Sequence, residues 1–508
     1  MSHRVASDLR ALHLVSKAEM KRLDPKSPPS WMDTRAFNFD QKYQMATTAS
    51  EQPVIPNPSL FQLLSQRNAI SDQLPTTAQC AAHLELLEVF YALRVRVVRA
   101  SELNDAFGLE INNKIIYRRG YDASESKYIY EPHKLKDITW DDQHREKWPY
   151  YLNFAAARFL DWAKKIDDVI GTSRAAGTID GQSTHTDAVS LPYLPPLDVL
   201  MVWHAFLLNP SDFAQFCKKN SLKWLRQLPF PWPQMHANID SDTWSYTLPA
   251  ASLAWLKDEA YLEPNLFDFL VDLGQSKNAI SATLSENNAK TISSNQALAQ
   301  ARDIDAMTVR EKAFLESLHM IAIATDQVKA LVDNVQRQAA FVDKMHRQLW
   351  IRSPAVADTI QRATERYEQF LKLFRLCPGQ MLVPTLDIDL VWHTHQLSAQ
   401  DYAAAMLSRT GRFIDHDDKL GKPTLNDALE ETVKLFSIHF GHSYSICLCW
   451  ECEAILSAVQ ACDEDDDSDA DQFTQLAGKV MRKVDYYRAV ELSRRNGNHF
   501  HPVSSLAK

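Results

Sequence analysis

The block LPPLDVLMVWHAFLLNPSDFA at residues 194–214 returns as VPTLDIDLVWHTHQLSAQDYA at 383–403, 189 residues later and identical at nine positions without a gap. A shared P-x-L-D-x-x-x-V-W-H skeleton of that length, with a rare Trp-His pair in it, predicts a chain built from two related units. The flanks agree in kind but not in spacing. Arg158-Phe159 has its counterpart in Arg366-Tyr367 at an offset of 208 against 189, so the first unit carries about 19 extra residues, close to the length of the polar stretch that begins at Gly171.

Both blocks read as a helix, a corner and a second short helix. Asp198 and Asp387 stand where an N-cap accepts backbone N–H groups, and Leu197 with Val202, like Leu386 with Val391, has hydrophobic-staple spacing. Asn209 and Ser398 are expected to open the second helix, with Pro210 in the favoured first position of the first copy. Trp203 and Trp392 then fall on the core stripe, and His204 and His393 read most simply as core histidines bonded to a neighbour.

The informative differences are in the second copy. Asp389 replaces Leu200 and His395 replaces Phe206, so two ionisable groups enter positions that the first copy keeps apolar. Burying such groups without partners costs a few kcal/mol. Asp389 and His393, four residues apart, share a face, whereas His395 points away from His393. These three residues are the candidate polar site, as metal ligands or as a core network.

A second cluster, H-x2-H-x4-C-x-C-x2-C, comprises His439, His442, Cys447, Cys449 and Cys452. Soft thiolates with imidazoles suit zinc or copper, and four such ligands would make a closed structural zinc site. The alternative is that the cysteines are small core hydrophobes.

Elsewhere the pattern is helical. The run from Thr76 to Val98 carries a stripe of Leu84, Leu87, Phe90, Tyr91 and Val95. A helix covers about Pro149 to Ile170, helical spacing continues from Met307 to Leu349 until Pro354 interrupts it, and further helices fit 425–440 and 472–494. Lys114–Arg118 and Lys127–Tyr130 leave room for minor strands. The expected fold is all-α: an arm at 1–50, a first helical unit at 51–273, a linker at 274–306, a second unit with the Cys/His-rich end at 307–462, an acidic linker at 463–471, and a C-terminal helix and tail at 472–508.

No apolar run spans a bilayer, and the N-terminal residues lack the charge segregation of a signal peptide. Seven scattered cysteines point to a reducing compartment, cytoplasm or nucleus. A net charge of −9 argues against nonspecific nucleic-acid binding, and the Arg94, Arg96 and Arg99 patch reads as a solvated helix face.

The segment around Cys80 and His83-Leu84-Glu85-Leu86-Leu87, the PPLDVLMVWH block and above all the fuller PTLDIDLVWHTHQL block resemble the glycine-rich domain-containing protein-like family of plants and fungi, over about 55–455. The Cys-rich end looks more like the fungal branch. The resemblance implies no established catalytic residues, and this chain has neither the Gly-rich tail nor the RNA-recognition aromatic motif of some plant members. The leading expectation is therefore a helical interaction or scaffold protein with a protein partner. The alternative is a metal-dependent enzyme, zinc hydrolase-like or non-haem Fe(II) oxygenase-like, using Zn or Fe in the second unit.

Overall fold

A computed structural model describes residues 54–64, 74–107, 113–122, 127–136, 140–179, 189–275, 324–415, 422–461 and 470–495, with positions 317 and 321. The expected arm at 1–50, the linker after Gln275 and the acidic run at 463–469 lie outside these residues. The described chain is mainly helical, with two small antiparallel β-pairs. In chain order, the first half comprises α1 (Thr77–Arg99), α2 (Glu102–Ala106), a hairpin of β1 (Asn113–Asp122) and β2 (Lys127–Lys136), α3 (Trp140–Ile179), α4 (Leu197–Leu207), α5 (Pro210–Lys219) and α6 (Trp232–Ala237). A two-residue pair follows, β3 (Ile239–Asp240) with β4 (Ser245–Tyr246), then α7 (Ala250–Asp258) and α8 (Leu266–Gln275). The second half holds α9 (Thr325–Gln348), α10 (Val356–Leu376), α11 (Leu386–Gln396), α12 (Ala399–Thr410), α13 (Lys422–Phe440), α14 (Trp450–Gln460) and α15 (Ala470–Arg495). Among the described residues, no helix is long and apolar enough to cross a membrane.

The centre of the packing is α1. It starts with a full capping box, in which Thr76 Oγ1 accepts from the Gln79 N–H at 3.2 Å and Gln79 Oε1 accepts from the Thr76 N–H at 2.9 Å. At its other end the Lys147 ammonium of α3 donates to the carbonyls of Val98 (3.2 Å) and Ala100 (2.6 Å), a cation where the helix dipole is negative. The predicted apolar stripe covers only part of the buried surface, because α1 packs against α3, α6, α9, α10 and α11. Four polar residues, His83, Glu85, Glu88 and Arg94, are buried on it too, and each meets a partner from another element. Glu85 bonds His236 at 2.7 Å, Glu88 bonds His346 at 2.8 Å, and Arg94 is paired with Asp343. Arg94 is thus no part of a solvated basic face, whereas Arg96 and Arg99 are exposed as expected, Arg96 pairing at the surface with Asp268 at 2.7 Å.

The two Trp-His blocks form helix–corner–helix units, α4–α5 and α11–α12, with the breaks at the expected residues. The capping chemistry differs from the expectation. Asp198 and Asp387 lie inside the first turn, one residue beyond the first helical residues Leu197 and Leu386, so those leucines are not staple residues preceding a cap. Nor do Asn209 and Ser398 cap through their side chains; the Asn209 amide donates to the Ala205 carbonyl instead. The two aspartates are held by arginine. Arg158 Nε donates to Asp198 Oδ2 at 2.7 Å, and Arg366 Nε donates to Asp387 Oδ2 at 2.6 Å, all four side chains being buried. Each guanidinium also reaches a downstream carbonyl, Glu263 O at 2.5 Å in one case and Tyr444 O at 2.8 Å in the other. Fixed Arg geometry with several donors suits this double attachment.

The polar stretch after Ile170 begins as helix, since α3 continues through it to Ile179. Asp167 Oδ1 accepts from the backbone N–H groups of Trp224 and Leu225, both at 2.7 Å, and brings the Trp224 indole against Gly171, where an added Cβ would meet Nε1 at 2.8 Å. A glycine that reads locally as a helix breaker is here the space that lets a neighbouring ring approach.

Replacing Arg366 by Met is expected to cost about 3–5 kcal/mol in urea denaturation, because Asp387 is then buried uncompensated. Lys at that position should recover little, since one ammonium cannot serve Asp387, Thr385 and the Tyr444 carbonyl together. The double change Arg366→Met/Asp387→Leu should recover most of the loss. A single-variant cost below about 1 kcal/mol, the range of a solvent-exposed pair, would contradict a buried ion pair.

Candidate functional site

Where α1, α4 and α11 meet, a short polar chain runs through the apolar interior. His83 Nε2 lies 2.8 Å from His204 Nε2, and His83 Nδ1 lies 2.8 Å from Thr394 Oγ1. The Thr394 hydroxyl also lies 2.7 Å from the Leu390 carbonyl one turn back, which can only accept. Its single proton therefore goes to Leu390, the His83 Nδ1–H donates to Thr394, and the His204 Nε2–H donates to His83. Burial and the adjacent His204 hold His83 well below the ordinary imidazole range, and burial lowers His204 to about 3. Both rings are neutral at physiological pH. The Cys80 thiol, in contact with Thr394, is pushed up by burial to about 12 and remains protonated. These groups are sealed, with Trp232 5.7 Å from the His83 ring and Phe90 edge-on to His204 at 5.2 Å. The arrangement joins the first Trp-His block to the second through α1. The reading of His204 as a bonded core histidine agrees with this geometry. The roles of His83 and Thr394 were missed because each acquires its meaning only from residues more than 100 positions away.

His395 lies in a different environment from His393. In the first copy Phe159, Phe206 and Phe213 form two edge-on contacts, at 6.0 and 5.4 Å between ring centres. At the matching positions Tyr367, His395 and Tyr402 make the same two contacts at 5.9 and 5.2 Å. The trio has become polar as a set. Tyr367 Oη is 3.1 Å from His395 Nδ1, and Tyr402 Oη accepts from Trp392 Nε1 at 3.0 Å and donates to the Ile414 carbonyl at 2.6 Å. Trp203 and Trp392 also correspond, packing against Trp162 and Phe370 at 5.4 and 5.7 Å.

Asp389 and His393 meet as their spacing predicted, with Asp389 Oδ1 3.2 Å from His393 Nε2. Phe341 of α9 lies edge-on to the imidazole at 4.3 Å. Burial raises the Asp389 carboxyl to about 7, against a smaller opposing effect of Lys344. His395 does not join this pair. Among the described residues, the one group of three or more His, Cys, Asp or Glu side chains close enough for a single ion is Cys447, Cys449 and Cys452. The two-histidine, one-carboxylate arrangement considered for an iron or zinc enzyme is therefore not assembled from Asp389, His393 and His395. Nor do these residues line the groove of about 940 Å³ bounded by Val54–Pro58, the start of α1, α10 and Tyr487.

In the Cys/His-rich end the structure separates the two residue types. The three sulfurs lie within 4.8 Å of one another. His439 instead approaches Cys377 at 3.5 Å, a contact between α13 and the end of α10, and His442 packs edge-on to Phe436 at 5.2 Å.

Residues 275–404 match the family described as glycine-rich domain-containing protein-like, which supports the resemblance read from the Trp-His blocks over a shorter span containing the second block. Glycine-rich domain-containing protein 1 of Arabidopsis thaliana is 38% identical over 93 residues, 17% of this chain and 11% of that protein. Glycine-rich domain-containing protein 2 of the same plant is 27% identical over 237 residues, 45% of this chain and 22% of that protein. The chain thus spans at most about a fifth of these curated relatives, and neither supports the fungal branch in particular. No solved structure matches the chain.

Two measurements test the buried network. Because His83 and His204 titrate lower in the folded state than unfolded, their stabilising contribution is complete above the unfolded value near 6.5 and is lost progressively as pH falls below it, toward about 3 for His204. His204→Gln should flatten the decline of stability between pH 6.5 and 4; an unchanged slope would mean that the ring is not buried neutral. Separately, His395→Phe is expected to cost about 1–3 kcal/mol by stranding the Tyr367 hydroxyl, and Tyr367→Phe/His395→Phe to restore most of it. Additive losses in that double-mutant cycle would exclude the bond.

Proposed function

We propose that this protein is a non-catalytic interaction protein in which two related helical units, docked on α1, form a rigid mount for a projecting recognition hairpin. The observation that carries this reading is the hairpin's surface. In the ten-pair register of β1 with β2, Tyr117, Arg119 and Tyr121 fall opposite Pro132, Tyr130 and Tyr128, and by strand alternation these six side chains share one face. Tyr117, Tyr121, Tyr128 and Tyr130 are each 58–66% exposed. The Arg119 guanidinium lies 3.9 Å from the centre of the Tyr128 ring, and Tyr121 and Tyr128 meet edge-on at 5.1 Å.

Four large aromatic side chains left in water on one small face exceed what a two-stranded hairpin needs for its own stability. Tyrosine supplies contact area and a polar tip at low entropic cost, which suits protein recognition. Along β1 and β2 the sequence places Lys114, Arg118, Arg119, Lys127, Lys134 and Lys136 against Asp122 and Glu131, in a chain whose net charge is −9. The partner that fits is a protein with an acidic rim around an apolar patch. The buried His83–His204–Thr394 chain supports the mount by holding the helices of both units to α1.

A photo-crosslinking residue at position 130, with a control at the exposed Tyr261 remote in sequence, tests this in the full chain. Expected are protein adducts at 130 that are absent at 261 and that fall at least about tenfold when Tyr117, Tyr121 and Tyr128 are changed to Ser, with stability within about 0.5 kcal/mol of the parent. Adducts to nucleic acid, or protein adducts that survive the triple change, would overturn the reading.

A further inference from the structure

The three clustered thiols are not explained by packing. Cys447, Cys449 and Cys452 are each half-buried, their sulfurs lie within 4.8 Å of one another, and Cys447 Sγ and Cys449 Sγ are 3.4 Å apart. Small core hydrophobes would not need to converge three sulfurs at the edge of the core. Metal–sulfur bonds of about 2.3 Å place the thiolates of a single ion somewhat under 4 Å apart, a spacing that three sulfurs already within 4.8 Å of one another reach by small side-chain adjustments.

The backbone that presents them is firmly held. Cys449 is the N-cap of α14 and Cys452 lies in its first turn, so two of the three thiols are placed by the start of one helix. The turn between them is pinned on both sides. The buried Trp350 donates from Nε1 to the Leu448 carbonyl at 3.0 Å, and the buried Trp450 donates to the Gln348 carbonyl at 2.7 Å. Glu453 is clamped by Arg362 at 2.5 Å, and Glu451 by Arg488 at 2.5 Å, which places two guanidinium cations near the segment. Such anchoring fixes ligand directions before any ion arrives.

We propose that Cys447, Cys449 and Cys452 bind one thiophilic d10 ion, Zn(II) or Cu(I), as three thiolates, and that His439 and His442 are not among its ligands. The three sulfurs suit either ion. With Cu(I) the thiolates complete a trigonal site. With Zn(II) a fourth ligand comes from outside this trio, since no fourth His, Cys, Asp or Glu among the described residues joins it. Binding releases the thiol protons to solvent and involves no change in the oxidation state of protein or metal. The site is independent of the hairpin reading and stands or falls separately.

The test uses the full chain, purified without a histidine tag under reducing conditions and reconstituted separately with Zn(II) and with Cu(I). Elemental analysis should give about one equivalent of one of them, and Co(II) in its place should show thiolate-to-cobalt charge-transfer absorption. Competition with a chromophoric chelator should show affinity reduced on the order of 100-fold or more in Cys452→Ser, more than loss of an outer partner would cause, with circular dichroism monitoring the fold. His439→Asn/His442→Asn should bind as the parent does. Failure to retain either metal, a disulfide among the three cysteines in the reduced protein, or equal loss in the histidine variant would each overturn the proposal.

Discussion

The structure depends on the burial of a helix that carries more polar groups than a core helix can tolerate alone. His83, Glu85, Glu88 and Arg94 all lie inside the protein on α1, and leaving any of them unpaired would cost more than a typical hydrogen bond returns. Each therefore selects a particular neighbour: His204 and Thr394 for His83, His236 for Glu85, His346 for Glu88, and Asp343 for Arg94. Apolar contact alone would allow the surrounding helices to slide or rotate by a turn at modest cost. These pairings admit one arrangement, because a shift of one residue would break several buried bonds at once.

The matched contacts of the two blocks show how one geometry accommodates two chemistries. An Arg–Asp pair stands at the start of α4 and again at the start of α11, and the N–H of Leu194 meets Ser252 Oγ at 2.9 Å where that of Val383 meets Thr432 Oγ1 at 3.0 Å. Between these fixed points, three phenylalanines in one copy correspond to Tyr367, His395 and Tyr402 in the other, in the same edge-on order. Introducing His395 alone would bury an imidazole among hydrocarbons. Tyr367 supplies an Oη partner for His395 at nearly unchanged ring positions, while the Tyr402 Oη is engaged by Trp392 and the Ile414 carbonyl. Polar character in this interior thus comes with neighbouring polar substitutions rather than singly.

Much of the helical layout was legible from spacing. The corners after Leu207 and Gln396, the break near Pro354 and the helical run of α1 follow from local rules about apolar period and proline. The role of Asp198 and Asp387 was not. An aspartate just before a helix resembles an N-cap in any local window, and only the arrival of Arg158 or Arg366 from a preceding helix diverts its carboxylate. The Asp389–His393 contact was legible because both residues lie on one helix face; the separation of His439 and His442 from the three cysteines was not, because sequence proximity says nothing about which side of a turn each group leaves.

By itself, the sequence determined that this chain is helical, that one Trp-His block is written twice, and that ionisable groups enter the second copy where the first is apolar, since these are properties of residue type and period along the chain. Tertiary structure alone decided which of those groups meet: His83 with His204 and Thr394, each arginine with its aspartate, and three thiols without their neighbouring histidines. The physical reason is that periodicity specifies which face a helix buries, whereas the partner of a buried polar group is chosen by desolvation and donor geometry between segments that the chain brings together only when it folds.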